Sequence, residues 1–197
     1  MNALVVPLDR LLRSRFGVFE FSDDPDCLFR ARFARTERKI ELPDRAIQAG
    51  EPVLELHFWN EHFTPVPAGG PDIKWAVNGS KKVVASCRLL ARQLRENPEM
   101  AQVCAIGGTT PLFRAGAGSG WEKIFSRLGF ELWPHVNPSG AFAEFWENLY
   151  AWMVMRTFHV GSGTSLRFKD IERTDFWVSR EEFLRRHGNG GRSGAGS

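Results

Sequence analysis

The sequence predicts a single α+β domain, with a central mixed sheet that opens as an antiparallel meander and two long helices flanking it. Three features predict this. Apolar residues alternate with period two over 27–36 and 53–58, as in half-buried strands. They recur at helical spacing over 72–97 and again over 142–158. In between, 102–106, 121–128 and 130–133 read as strand, helix and strand, with Gly129 closing the helix in left-handed geometry. A chain of 197 residues suits one domain with a sizeable core and is short for two. Residues 1–187 are expected to form that domain, and 188–197, rich in Gly and Ser, to be a disordered tail.

Bulk properties narrow the class. Apolar content of 43% and aromatic content of 12% suit a packed globular protein, and runs long enough to span a bilayer are missing. The apolar start Ala3-Leu4-Val5-Val6-Pro7-Leu8 lacks a basic flank and is broken by Pro7 and Asp9, so neither a secretory signal nor a transmembrane segment is expected. Cys27, Cys87 and Cys104 are odd in number and widely spaced, which argues against a disulfide framework and for a reducing cytoplasm. A net charge of +3 is small for a nucleic-acid binder, and no nucleic-acid partner is expected. The basic residues are 20 Arg to 6 Lys, an excess that suits carboxylate or phosphate partners but that Arg-favouring codon usage also explains.

The elements follow in order. Residues 8–13 read as a short amphipathic helix, and 16–21 as extended chain before the Asp23-Asp24-Pro25-Asp26 turn. In 27–36, Cys27, Phe29, Ala31 and Phe33 share one face and Arg30 and Arg32 the other, a strand with a solvated or ion-paired Arg face. Residues 39–42 make a short second strand, Pro43-Asp44-Arg45 a turn, and Gly50-Glu51-Pro52 leads into the third strand. The helix over 72–97, with Asp72 or Asn78 as cap, places Ile73, Val77, Val84, Cys87, Ala91 and Leu94 on its core face. Lys74, Lys81, Arg88 and Arg95 recur every seven residues beside it, as a solvated stripe. Gly107-Gly108 is expected to stop the strand at 102–106 and Thr109-Thr110 to turn. The helix over 142–158 is apolar around much of its circumference. Ser179-Arg180-Glu181-Glu182 reads as a capping box opening a helix that ends at Gly188.

The strand ending at Phe58 runs into the densest polar cluster of the chain, Glu55, His57, Asn60, Glu61 and His62. Glu55 and His57 project from one strand face, about 7 Å apart along it, close enough to flank a small ligand. They are the candidate catalytic or ligand-orienting pair. The alternative is structural, with His57 and Asn60 tying down neighbouring loops. The spacing matches no established metal motif, so no metal site is assigned. Thr109 and Thr110 after Gly107-Gly108 are a candidate nest for an anionic group. Cys87 and Cys104 sit in apolar patterns and read as packing thiols, and Ser179 reads as a cap rather than a nucleophile. No motif specifies a cofactor.

The phrases Gly50-Glu51-Pro52-Val53-Leu54-Glu55-Leu56-His57 with Asn60, Gly107-Gly108-Thr109-Thr110, Leu128-Gly129-Phe130, and Trp177-Val178-Ser179-Arg180 with Leu184 resemble the YkoP-like domain of bacteria, over residues 28–187. That domain stands alone or beside polysaccharide deacetylase domains. The resemblance implies an accessory role in cell-envelope carbohydrate or lipid metabolism, with a small molecule or a glycan or lipid precursor as ligand, and brings no catalytic residues with it. The chain departs from the family pattern at Phe58-Trp59. The order of elements, with the phrase Arg127-Leu128-Gly129-Phe130, is also similar to GNAT-type N-acyltransferases. There, amides opening the long helix hold the coenzyme A pyrophosphate. Gly69 and Gly70 stand at the corresponding place, but that family's glycine phrase is absent and Pro71 removes a donor. The expected function is therefore ligand binding at a strand-end His/Glu site, with a divergent acyl-CoA-dependent acyltransferase as the alternative and a metal-dependent hydrolase as the third.

Overall fold

The computed structural model describes residues 17–58, 62, 64, 67, 72–111, 115–136 and 173–188. In chain order its elements are β1 (Phe29–Arg35), β2 (Ile40–Glu41), β3 (Ala46–Ile47), β4 (Pro52–Phe58), α1 (Ile73–Glu96), a 3₁₀ turn (Pro98–Met100), β5 (Ala105–Thr110), α2 (Gly120–Arg127), β6 (Glu131–Pro134), β7 (Thr174–Ser179) and α3 (Arg180–His187). Five strands make one mixed sheet in the order β1-β4-β5-β7-β6. β4 runs antiparallel to β1 and parallel to β5, while β7 is antiparallel to both β5 and β6. The parallel step requires a crossover, and α1 lies within it.

The opening antiparallel pair is β1 with β4. The segment between them, expected as the meander's middle strand, instead closes on itself as the β2–β3 hairpin, a separate two-stranded sheet. Its residues Ile40, Leu42 and Ile47 pack on Val53, Ala105 and Trp177, so the short strand covers the sheet rather than joining it. The expected helices at 8–13 and 142–158 and the tail beyond 188 lie outside the described residues.

The opposite sheet face carries the larger core. Leu54, Leu56, Ile106, Phe176 and Val178 meet Val83, Cys87, Leu90, Ala91 and Leu94 of α1, Phe125 of α2 and Phe183 of α3. Asp72 caps α1, its side chain accepting from the Trp75 amide at 2.6 Å, and Asn97 ends it. The expected core face is corrected at its start. Ile73 and Val77 are exposed, and the buried residues of the helix begin at Val83. Lys74, Lys81, Arg88 and Arg95 are all exposed, as expected of a solvated stripe. Ser86 joins α1 to the entrance of β1, its hydroxyl donating to the Lys82 carbonyl at 2.7 Å and accepting from the Leu28 amide at 2.8 Å.

Helix ends follow the local chemistry of the sequence. α2 closes in a Schellman motif, with the Phe130 amide on the Phe125 carbonyl at 3.1 Å and the Gly129 amide on Ser126 at 3.0 Å. Gly129 has φ +96°, and the Phe125 and Phe130 rings meet beneath it at 5.4 Å. Ser179 caps α3 by accepting from the Glu182 amide at 3.0 Å, but the capping box is only half made. The Glu182 carboxylate turns to Arg185 and Arg186. Arg180 reaches back to the carbonyls of Leu94 and Met100, both at 2.5 Å, and so ties α3 to the end of α1.

β5 continues through Gly107-Gly108-Thr109-Thr110 rather than stopping at the glycines. Glycine inside a strand marks close backbone approach. A Cβ on Gly107 would lie 2.2 Å from the Phe176 carbonyl and 2.4 Å from the Trp177 indole, and one on Gly108 would lie 2.8 Å from the Leu56 carbonyl. Gly107→Ala is therefore expected to cost about 3 kcal/mol or more in urea denaturation, as overpacking against backbone. Gly120→Ala, at the first position of α2 with open space around it, should cost nothing or stabilise by about 0.5 kcal/mol. Equal effects at the two positions would contradict the close approach at Gly107.

Candidate functional site

Strand register sorts the second sheet face into rows. Cross-strand partners share a face, so Arg32, Glu55, Gly107 and Trp177 form one row. Arg30 and His57 begin the next, and Thr109, Asp175 and Trp133 continue it. At about 4.8 Å per strand, laddered positions on β4 and β7 such as Glu55 and Trp177 stand about 10 Å apart across β5. The β4–β5 ladder pairs only Val53 with Ala105, Leu54 with Ile106 and Glu55 with Gly107, although both strands continue three residues further.

Glu55 is bound by the Arg32 guanidinium, Nε to Oε2 at 2.9 Å, and this ion pair is half-buried. Arg30, opposite His57, is buried and pairs with Glu20 at 3.0 Å. His57 is different. Its Nε2 is enclosed and has no hydrogen-bond partner among the described residues. Burial lowers its pKa, the Glu55 carboxylate opposes that shift, and the Arg32 guanidinium adds to it. The imidazole is held neutral, as an acceptor or donor with an unmet bond.

Further along the row, three donors converge on the buried carboxylate of Asp175. The Thr109 hydroxyl donates to Oδ1 at 2.7 Å, the His135 Nδ1 lies 2.6 Å from the same oxygen, and Arg38 reaches Oδ2 at 2.5 Å. Asp175, His135 and Arg38 were absent from the sequence-predicted site. The available signal was Asp175 itself, an acid inside the strand Thr174–Ser179, of which every residue is buried. Its partners lie 137 and 40 residues away, beyond any local motif.

The other predicted site residues fall in several places. Thr109 joins Asp175 as described, and Thr110, adjacent in β5, is buried on the opposite face. Gly107 and Gly108 have packing roles, against Trp177 and the Leu56 backbone. His62 is held through Nδ1 by the Cys27 carbonyl at 2.8 Å, a partner unconnected with His57. Asn60, Glu61, Gly69 and Gly70 lie outside the described residues. Among the described residues no three His, Cys, Asp or Glu side chains converge so as to hold a metal ion. Cys27 and Cys87 are buried, and burial pushes both thiols up, away from the reactive thiolate. No helix among the described residues is long and apolar enough to cross a membrane.

Two imidazoles lowered by burial and one ion-paired carboxylate set the expected acid response. His57 and His187 are both lowered chiefly by burial, His187 while its Nε2 donates to the Leu128 carbonyl at 3.0 Å. The unfolded chain takes up these protons first, so stability is full above about pH 6.5 and falls as pH drops below it. Arg185 and Arg186 hold Glu182 down to about 2. Its contribution is present above the ordinary carboxylate value of 4.5 and is lost as pH falls from there toward about 2. Urea midpoints measured from about pH 8 to about pH 2.5 should therefore be flat at first, then fall in two stages. A midpoint unchanged between about pH 7.5 and about pH 5 would contradict the burial of both imidazoles.

Comparison with known proteins gives one family. No curated protein matches the chain, and neither does any solved structure. The YkoP domain matches residues 4–187, which spans every described element of the sheet and its helices. The chain belongs to the YkoP domain family.

Proposed function

We propose that the second face of the sheet, centred on His57, binds a small polar ligand, and that the domain serves bacterial cell-envelope carbohydrate or lipid metabolism as an accessory, cytoplasmic unit. The single observation behind this is the unmet Nε2 of His57. Leaving a buried polar atom unpaired costs about 1–3 kcal/mol, and replacing it by an apolar group of similar size would recover part of that. Such a cost is retained where a ligand supplies the missing bond. The rows around it offer a matching surface, with a cation and carboxylate at Arg32 and Glu55 and a hydroxyl and carboxylate at Thr109 and Asp175. Alternating donors and acceptors across four neighbouring strands, about 14 Å, suit a hydroxyl-rich glycan or lipid headgroup precursor.

Acyl transfer from acyl-CoA is the second reading, favoured by the early end of the β4–β5 ladder. Ligands of open α/β sheets sit at the carboxyl ends of such strands, where a helix begins. It ranks second because the Asp72 carboxylate already takes the Trp75 amide at the start of α1, where a pyrophosphate would need donors and no negative charge.

Thermal unfolding of the wild type and of His57→Leu, each with N-acetylglucosamine oligomers, glycerol phosphate, acetyl-CoA or zinc, separates these functions. The expected result is a variant stabilised by about 1 kcal/mol without ligand and unresponsive to the glycan or headgroup probe that shifts the wild type. A shift with acetyl-CoA alone would transfer the site to acyl transfer, and one with zinc alone to metal-dependent hydrolysis. A variant that is destabilised and still responds would remove His57 from the site.

A further inference from the structure

The Asp175 cluster, which the binding role proposed above uses only as polar surface, has the arrangement of a base and its orienter. Asp175 accepts from Thr109 and Arg38 and has no proton to give, so at 2.6 Å the His135 Nδ1 carries the hydrogen and donates it. That fixes the tautomer and leaves the lone pair on Nε2. Among the described residues this Nε2 has no partner, and unlike that of His57 it is not enclosed. His187 spends its Nε2 on a carbonyl and His62 its Nδ1 on another. A carboxylate that is 5% exposed and takes donors from β5, β6's end and the β1–β2 connection is a rigid holder for one imidazole.

We propose that His135 is a catalytic general base, with Asp175 and Thr109 as its positioning residues, acting on a hydroxyl or amine of a ligand lying across the second face. This rests on the binding role of that face for where the substrate lies. As the hydroxyl oxygen bonds to the acyl carbon of an ester or thioester, His135 Nε2 takes its proton, and the Asp175 carboxylate balances the imidazolium. When the tetrahedral adduct collapses, the bond to the alkoxide or thiolate breaks, the electron pair leaves with it, and the proton on Nε2 passes to that leaving group. Arg38 is half-exposed and bound to Asp175 through one nitrogen, and its remaining N–H donors are assigned to the developing oxyanion.

The base can be tested without the natural ligand. Diethylpyrocarbonate acylates an imidazole through a free, accessible lone pair, and peptide mapping of the full chain reports each histidine separately. His135 is expected to react at least about tenfold faster than His57 or His187, and Asp175→Asn to slow it by about tenfold or more through loss of the tautomer. Nitrogen-15 spectra should show Nδ1 protonated in the wild type and a change of tautomer in Asp175→Asn. Thr109→Val is the milder variant should Asp175→Asn fail to fold, with a smaller slowing in the same direction. With p-nitrophenyl acetate as acyl donor, the wild type should exceed free imidazole at equal concentration, and His135→Gln should abolish the excess. Unselective labelling, an Nε2-protonated His135 in the wild type, or ester turnover that survives His135→Gln would each overturn the proposal. Loss of the His57-dependent melting shift alone would count against the ligand role of the face and leave selective labelling of His135 in place.

Discussion

The contact on which the sheet depends is the approach of Trp177 to the bare backbone of Gly107. With no side chain there, the indole lies across β5 and closes the apolar patch made with Val53, Ala105 and the hairpin residues Ile40, Leu42 and Ile47. The same approach fixes the register of β7 on β5. Register in turn puts Asp175 opposite Thr109, because two residues along an antiparallel pair return to the same face. A slip by one residue would send Asp175 into the aromatic core with Phe125, Phe130 and Phe176.

The two faces of the sheet divide the work. One buries Leu54, Leu56, Ile106, Phe176 and Val178 under three helices and accounts for most of the apolar burial. The other is apolar only where the hairpin covers it, and polar beyond. The charges around the candidate site are paired. Arg30 meets Glu20, Arg32 meets Glu55, and Asp175 gathers three donors, whereas the enclosed Nε2 of His57, in the same rows, has no partner among the described residues. Neutral, enclosed and unpaired, it combines a stability cost with a chemical capacity, which is the combination expected where binding matters more than folding.

Local chemistry was legible in the sequence, and long-range pairing was not. The limits of α1, its Asp72 cap, the Schellman close at Gly129 and the Ser179 cap all follow from residues within a few positions of one another. The exposure of Ile73 and Val77 was illegible, because periodicity gives a helix its apolar face but not the part of its length that is covered. β2 and β3 are two residues each, too short for alternation to say whether they join a sheet or cover it. Gly107 and Gly108 misled for a related reason, since glycine ends strands in turns and continues them where another chain segment comes close. At the site, Glu55 and His57 could be placed on one face from spacing alone. The Arg38–Asp175 and His135–Asp175 bonds required the sheet order to be known first.

The Ser179 hydroxyl does two jobs at once. It accepts the amide that opens α3 and donates to Asp44 in the turn between β2 and β3, while Arg45 beside it reaches Glu181 at 3.7 Å. A cover on one side of the sheet and a buttress on the other thus share a single oxygen atom. Lifting the hairpin away from Trp177 would unseat the first turn of α3, so the two sides are mechanically coupled through the sheet's thickness.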